Sequence, residues 1–214
     1  MKLRKDDLLL YAITDRTVIG NRDFYYEIEM ALEGGVTILQ LREKNLDTDN
    51  LAEIAEKVKK ICIKYDVPLI INDNLQAALK SGADGIHVGA EDISVEEIRR
   101  LTHKDFIIGA TAKTIEQARF AESNGADYLG VGAVFPSPTK TNAKRITTDD
   151  LKSITQTVNI PVVAIGGITY ENIHTLKNCG ISGIAVISAL FAENDVKDSA
   201  EKLKNKIGKI VYSL

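Results

Sequence analysis

The chain reads as a (β/α)8 barrel, with residues 1–214 forming one TIM-barrel domain. Three observations predict this. Short apolar runs alternate with amphipathic helical stretches eight times, at about 27 residues per unit, within reach of a compact barrel whose usual size is about 250. Four of the eight strands are introduced by similar segments, Gly34-Gly35-Val36, Gly82-Ala83-Asp84, Gly125-Ala126-Asp127 and Gly180-Ile181-Ser182, as expected of repeated βα units. The turn after the first strand, Thr14-Asp-Arg-Thr17, lacks the Gly-x-Gly-x-x-Gly pattern of an open dinucleotide-binding sheet, which favours the closed barrel.

Taken in order, Leu8 to Thr14 is the first strand, a short apolar run ending at Asp15-Arg16. Phe24 to Leu32 has helical apolar spacing and stops at Gly34-Gly35, a suitable helix end. Thr37 to Leu41 is the second strand. Thr48 is expected to cap a long helix whose Leu51, Ile54, Ala55, Val58 and Ile61 share one face and which ends before Pro68. Pro68 to Asn72 is the third strand, and Asn72-Asp73-Asn74 introduces a helix from Leu75 to Ser81. Gly82 to Val88 supplies the fourth strand, followed by a helix from Ser94 to Leu101. The fifth strand is Phe106 to Gly109 with a helix from Ile115 to Ser123, and the sixth is Tyr128 to Val131. The longest loop, Gly132 to Arg145, precedes a helix from Thr148 to Thr157. Pro161 to Ile165 and Gly183 to Ile187 are the last two strands, with helices Tyr170 to Asn178 and Val196 to Val211.

In such a barrel the carboxyl ends of the strands form the mouth, where sites are built. Polar groups gather at that rim: Gln40, Arg42 and Lys44; Asn72 and Asp73; Glu91 and Asp92; Thr111; Ser137, Thr139 and Lys140; Gly166 and Gly167; Ser188. Gln40, Arg42 and Lys44 repeat with period two, which places them on one face of an extended chain and points the cations at an anion. Asp73 and Asp92 follow neighbouring strands. One or two carboxylates with waters and ligand phosphates suffice for Mg2+. Helix capping is the structural alternative for both acids. Three cations, two carboxylates and Mg2+ together carry roughly +3, near the opposite charge of a diphosphate ester. Ile165-Gly-Gly-Ile168 and Ser188 form a separate cradle of backbone N–H groups suited to a phosphate monoester.

These residues resemble the thiamine phosphate synthase family over nearly the whole chain. The resemblance lies in Tyr11-Ala-Ile-Thr-Asp-Arg16, Gln40-Leu-Arg-Glu-Lys44, Ile71-Asn-Asp-Asn74, His87-Val-Gly-Ala-Glu-Asp92, Gly130-Val-Gly-Ala-Val-Phe-Pro-Ser-Pro-Thr-Lys140, Ile165-Gly-Gly-Ile168 and Val186-Ile-Ser188. It implies a Mg2+-dependent transferase that joins hydroxymethylpyrimidine diphosphate to hydroxyethylthiazole phosphate, giving thiamine monophosphate and pyrophosphate. By the same resemblance, Gln40, Arg42, Lys44, Asn72, Thr111 and Lys140 contact the pyrimidine diphosphate, with Lys140, Arg42 and Thr111 acting in the chemistry. Asp73 and Asp92 hold the metal, and Ser137, Thr139, Gly167, Ile187 and Ser188 contact the thiazole phosphate. Thr111, Ala90 and Ala133 stand where the family usually has Ser, Gln and Pro. The competing expectations are a related thiazole tautomerase, whose catalytic His would fall at Ala133, and a barrel that binds a phosphate ligand without catalysis.

The rest of the composition limits the partners. A net charge of -3 without a basic block argues against nucleic acid, and no apolar run is long enough for a bilayer, so a cytoplasmic location is expected. The sequence leaves room for a homodimer without specifying one. Cys62 and Cys179 are isolated, as in a reduced compartment, and read as packing residues. His87 reads as a hydrogen-bonded core histidine and His103 and His174 as solvated ones, with no metal-binding spacing among them.

Overall fold

In the computed structural model, which describes residues 3–136 and 145–212, eight parallel strands close in sequence order into a barrel. They are β1 (Leu10–Ile13), β2 (Ile38–Leu41), β3 (Leu69–Asn72), β4 (Gly85–Val88), β5 (Ile107–Ala112), β6 (Tyr128–Gly132), β7 (Val162–Ile165) and β8 (Gly183–Val186). The helices outside them are α1 (Arg16–Ile19), α2 (Phe24–Glu33), α3 (Thr48–Lys64), α4 (Leu75–Ser81), α5 (Val95–Leu101), α6 (Ile115–Ser123), α7 (Thr148–Thr155), α8 (Ser188–Phe191) and α9 (Val196–Val211). The barrel expected from the alternating pattern is therefore the fold.

Period two sorts each strand between two cores. Leu10, Leu39, Leu69, Ile71, Ile86, Ile108, Leu129, Ala164 and Ile184 point outward and are buried under the helices. Tyr11, Ile13, Ile38, Ile70, Ile107, Tyr128, Val163 and Ala185 point inward and fill the barrel. Room for the inward Tyr128 phenol comes from glycine. A Cβ on Gly109 would lie 2.1 Å from the Tyr128 ring and 2.5 Å from His87 Nδ1.

The recurring lead-in has a shared task at three of the four even-numbered strands, β2, β4 and β6, displaced by one residue in the first case. Thr37 Oγ1 accepts from the Leu10 backbone N at 2.9 Å, Asp84 Oδ2 from Leu69 N at 2.7 Å, and Asp127 Oδ2 from Ile108 N at 2.7 Å. A side chain just ahead of β2, β4 and β6 thus satisfies an N–H at the start of the preceding odd strand. The two aspartates are balanced by Lys59 and Arg99.

Several boundaries differ from expectation for local reasons. Leu8 closes a 3-10 turn over Lys5–Leu8, because Asp7 bonds back to the Arg4 backbone N, and β1 begins at Leu10. The α3 cap is Asp47, which accepts from Asn50 N, so Thr48 is the first helical residue. β5 continues through Thr111 to Ala112. The helix expected over Tyr170 to Asn178 is only a 3-10 turn at Ile173–Leu176. There the Asn172 side chain accepts from Thr169 N and donates to the Gly167 carbonyl, local bonds that compete with a helical start. α1 was not anticipated; Asp15 caps it by accepting from Thr17 N.

Candidate active site

One cavity of about 230 Å3 opens at the carboxyl ends of the strands. Its wall brings together Gln40, Arg42, Asn72, Asp73, Asp92, Thr111, Gly167, Ile187 and Ser188, residues spread over 149 positions of sequence from Gln40 to Ser188 counted inclusively. Lys44 is exposed and borders an adjoining groove with Asn45, Leu46 and Leu51; groove and cavity meet at Asn72 and Asp73. β2 ends at Leu41, so the strict alternation that would aim Lys44 inward stops before reaching it. Glu91 is exposed and is not part of the cavity wall, while Ser137, Thr139 and Lys140 lie outside the described residues.

The two carboxylates are not helix caps. α4 is capped by Asn74, whose side chain accepts from Ala77 N, and α5 by Ser94, which accepts from Glu97 N. Asp73 instead takes a left-handed backbone, φ 62°, a conformation that costs of order 1–3 kcal/mol in a non-glycine residue and collects at functional sites. Its N–H is tied to the His87 carbonyl at 2.9 Å, and Asn72 Nδ2 donates to its carboxylate at 2.5 Å. Asp92 accepts from Gly89 N at 2.7 Å. The donor set is therefore two hard carboxylates on adjacent β3 and β4 connections, both facing one cavity, a set that suits Mg2+ when a ligand's phosphates complete the shell. Among the described residues no three His, Cys, Asp or Glu side chains gather closely enough to hold an ion on their own.

Arg42 is not a free cation. Its Nη1 donates to Asp15 Oδ2 at 2.7 Å, and both side chains are below a tenth exposed. Burial alone would raise the Asp15 pKa, but bonds from the Thr17 hydroxyl and backbone N and the charge of Arg42 outweigh it, so the carboxyl lies below its ordinary value. Arg16 bonds Glu43 beside this pair at 2.6 Å, and burial pushes the Glu43 carboxyl upward. The charge balance expected from Arg42, Lys44 and Lys140, the two aspartates and Mg2+ is therefore revised: Asp15 offsets Arg42, Lys44 stands outside, Lys113 joins the wall, and Lys140 lies outside the described residues.

Lys113, His87, Tyr11 and Tyr128 line the same cavity and were not assigned to it from sequence. Period two could have found Lys113, two positions beyond Thr111, and Tyr11, two before Ile13. His87 is hydrogen-bonded as expected, at 3.0 Å to Tyr128 Oη and 3.0 Å to Thr111 Oγ1, but it is half-buried in the cavity wall instead of sealed in the core. His103 and His174 are exposed, and Cys62 and Cys179 are buried free thiols, as expected. Gly166 and Gly167 have φ of 100° and 62°, and a Cβ on Gly167 would sit 2.1 Å from the Pro136 carbonyl oxygen, so this close approach requires glycine.

A closed parallel barrel whose strand ends carry carboxylates, cations and a glycine cradle around one cavity is a TIM-barrel enzyme that handles an anionic ligand. The family model described as thiamine monophosphate synthase matches residues 10–190. The chain belongs to that family. It is 46% identical over 197 residues to a thiamine-phosphate synthase of Clostridium tetani, covering 92% of this chain and 94% of that one. Among solved structures, thiamine phosphate pyrophosphorylase from Pyrococcus furiosus is similar with a TM-score of 0.89 and 37% identity, over 97% of this chain and 98% of that chain. A 3-hexulose-6-phosphate synthase shares the fold at a TM-score of 0.69 and 14% identity.

Proposed function

We propose that the protein is a thiamine phosphate synthase, transferring the aminopyrimidine methyl group of hydroxymethylpyrimidine diphosphate to the ring nitrogen of hydroxyethylthiazole phosphate, with release of pyrophosphate. Family membership supports the reaction. The observation that carries it to this site is the convergence of Arg42, Asn72, Asp73, Asp92 and Thr111 with the Gly167–Ser188 cradle on one cavity. A diphosphate and a monophosphate then have separate anchoring walls.

Asp73 and Asp92 would hold Mg2+, whose charge neutralises the departing pyrophosphate. Arg42, fixed by Asp15, orients the diphosphate, with Asn72 donating beside it. Lys140, together with Lys113 on the wall, adds cationic character, and Lys44 stands by the adjoining groove where the anion leaves the cavity. Gln40 and Thr111 flank the pyrimidine. Ser137, Thr139, Gly167, Ile187 and Ser188 hold the thiazole phosphate so that its nitrogen faces the methylene carbon. As the C–O bond breaks, the pyrimidine amino group feeds density to that carbon, and the thiazole nitrogen captures it. No protein nucleophile is needed; positioning and fixed charge lower the barrier. Ala133 on the cavity wall offers no imidazole, which disfavours a tautomerase.

The test is direct. Folded protein supplied with both substrates and Mg2+ is expected to form thiamine phosphate, read as fluorescent thiochrome after oxidation. Lys140→Ala and Asp92→Ala are each expected to reduce turnover by about 10²-fold or more while leaving the melting temperature near wild type. Absence of product from folded wild-type protein would overturn the assignment. A cytoplasmic location accords with the reading, and among the described residues no helix is long and apolar enough to cross a membrane.

A further inference from the structure

A continuous line of hydrogen bonds crosses the barrel within the cavity lining and links two of its walls. Gln40 Nε2 donates to Tyr11 Oη at 2.8 Å. Tyr11 and Tyr128 share a bond of 2.8 Å, Tyr128 Oη lies 3.0 Å from His87 Nδ1, and His87 Nε2 lies 3.0 Å from Thr111 Oγ1. The members stand on β2, β1, β6, β4 and β5, and the two phenols are buried. Both ends, Gln40 and Thr111, line the cavity, and among the described residues neither makes another side-chain hydrogen bond.

With the Gln40 amide turned as the structure has it, Nε2 toward Tyr11, proton counting sets the direction of this line. An amide nitrogen can only donate, and each phenol has a single proton. With Gln40 donating to Tyr11, the Tyr11 proton goes to Tyr128, and the Tyr128 proton goes to His87 Nδ1. The imidazole then carries its proton on Nε2 and donates to Thr111 Oγ1. A proton on Nδ1 would instead donate to Tyr128, forcing the Tyr128 proton back toward Tyr11 and leaving the Tyr11 proton without a partner among the described residues. At one end Gln40 Oε1 remains as an acceptor, and at the other the Thr111 hydroxyl proton remains as a donor.

We infer that Tyr11, Tyr128 and His87 form a polarity relay that locks Gln40 as an acceptor and Thr111 as a donor toward the ligand. The ligand class this selects is a heteroaromatic ring bearing an amino donor and a ring-nitrogen acceptor. The inference rests on the proposed reaction for identifying that ring as the aminopyrimidine, but the proton order stands on the hydrogen-bond geometry together with the orientation of the Gln40 amide. Tyr11, Tyr128 and His87 are positioning residues here: they act through Gln40 and Thr111. Gly109 and Gly130 leave the space the relay occupies, since a Cβ at either would meet Tyr128 or His87 at 2.1 to 3.0 Å.

Two measurements test it. Long-range 15N–1H spectra of ligand-free protein labelled at histidine, with His87 assigned through His87→Gln, are expected to show a bare, accepting Nδ1 and a protonated Nε2. A proton on Nδ1 would overturn the relay. Tyr128→Phe, which removes the central proton, is expected to give a mixture of His87 tautomers and to raise KM for the aminopyrimidine diphosphate roughly tenfold, with KM for the thiazole phosphate unchanged. Tyr11→Phe serves if that variant does not fold: it frees the Gln40 amide to turn, so the same KM is expected to rise while the His87 tautomer is retained. An unchanged pyrimidine KM in a folded variant would overturn the positioning role. If wild-type protein makes no thiamine phosphate, the reaction assignment fails by itself, and calorimetric binding of the aminopyrimidine diphosphate to wild type and variants decides the relay.

Discussion

Replacing Asp15 with Ala is expected to damage this protein through the charge it leaves behind. Asp15 and Arg42 are joined at 2.7 Å with both side chains below a tenth exposed, and Asp15 also caps α1. Breaking a buried pair from one side costs roughly 3–5 kcal/mol because the remaining charge is stranded, and loss of a helix cap costs about 1 kcal/mol more. Arg42 also lines the open cavity, which relieves part of the penalty, so a net loss of about 3 kcal/mol is expected. In a chain of this size that lowers the melting temperature by about 6–12 °C, measurable by circular dichroism or calorimetry. The double variant Asp15→Ala, Arg42→Met removes the stranded charge and is expected to recover about half of the lost stability, yet to lose diphosphate affinity further. Acid should mimic the single variant. The folded Asp15 pKa is depressed below 3.8, so its contribution is complete above that value and disappears as pH falls through the lower folded value. A single variant melting within about 2 °C of wild type, or a double variant less stable than the single, would refute the reasoning.

Two other substitutions separate packing from chemistry. Gly109→Ala drives a Cβ to 2.1 Å from the Tyr128 ring and is expected to cost about 1–3 kcal/mol in urea unfolding and to raise the pyrimidine KM, whereas Gly82→Ala meets nothing within 4 Å and costs about 1–2 kcal/mol through its φ of +66° alone, with KM unchanged. Equal kinetics for the two would show that Tyr128 tolerates displacement. The Cys62 thiol is fully buried and pushed up to about 12 by burial, so iodoacetamide at pH 8 is expected to label it only in denaturant; rapid labelling of the native protein would contradict the packing described.

The alternation of apolar runs and helices by itself determined the closed barrel, because period two and period 3.6 are local properties of the chain and eight such units admit few arrangements. It also placed Gln40, Asn72, Asp73, Asp92 and Thr111 at one rim, since each lies at or just beyond the carboxyl end of a strand. What sequence did not contain was the partner of each group. Asp15 neutralises Arg42 from 27 positions away, and Lys44 falls beyond the end of β2, where alternation no longer dictates direction. His87 has the pattern of a core residue in its own strand; only closure of the barrel sets it between Tyr128 and Thr111 and opens it to the cavity. Hydrogen bonds and ion pairs depend on distances of a few ångströms between remote strands, and register and closure fix those distances.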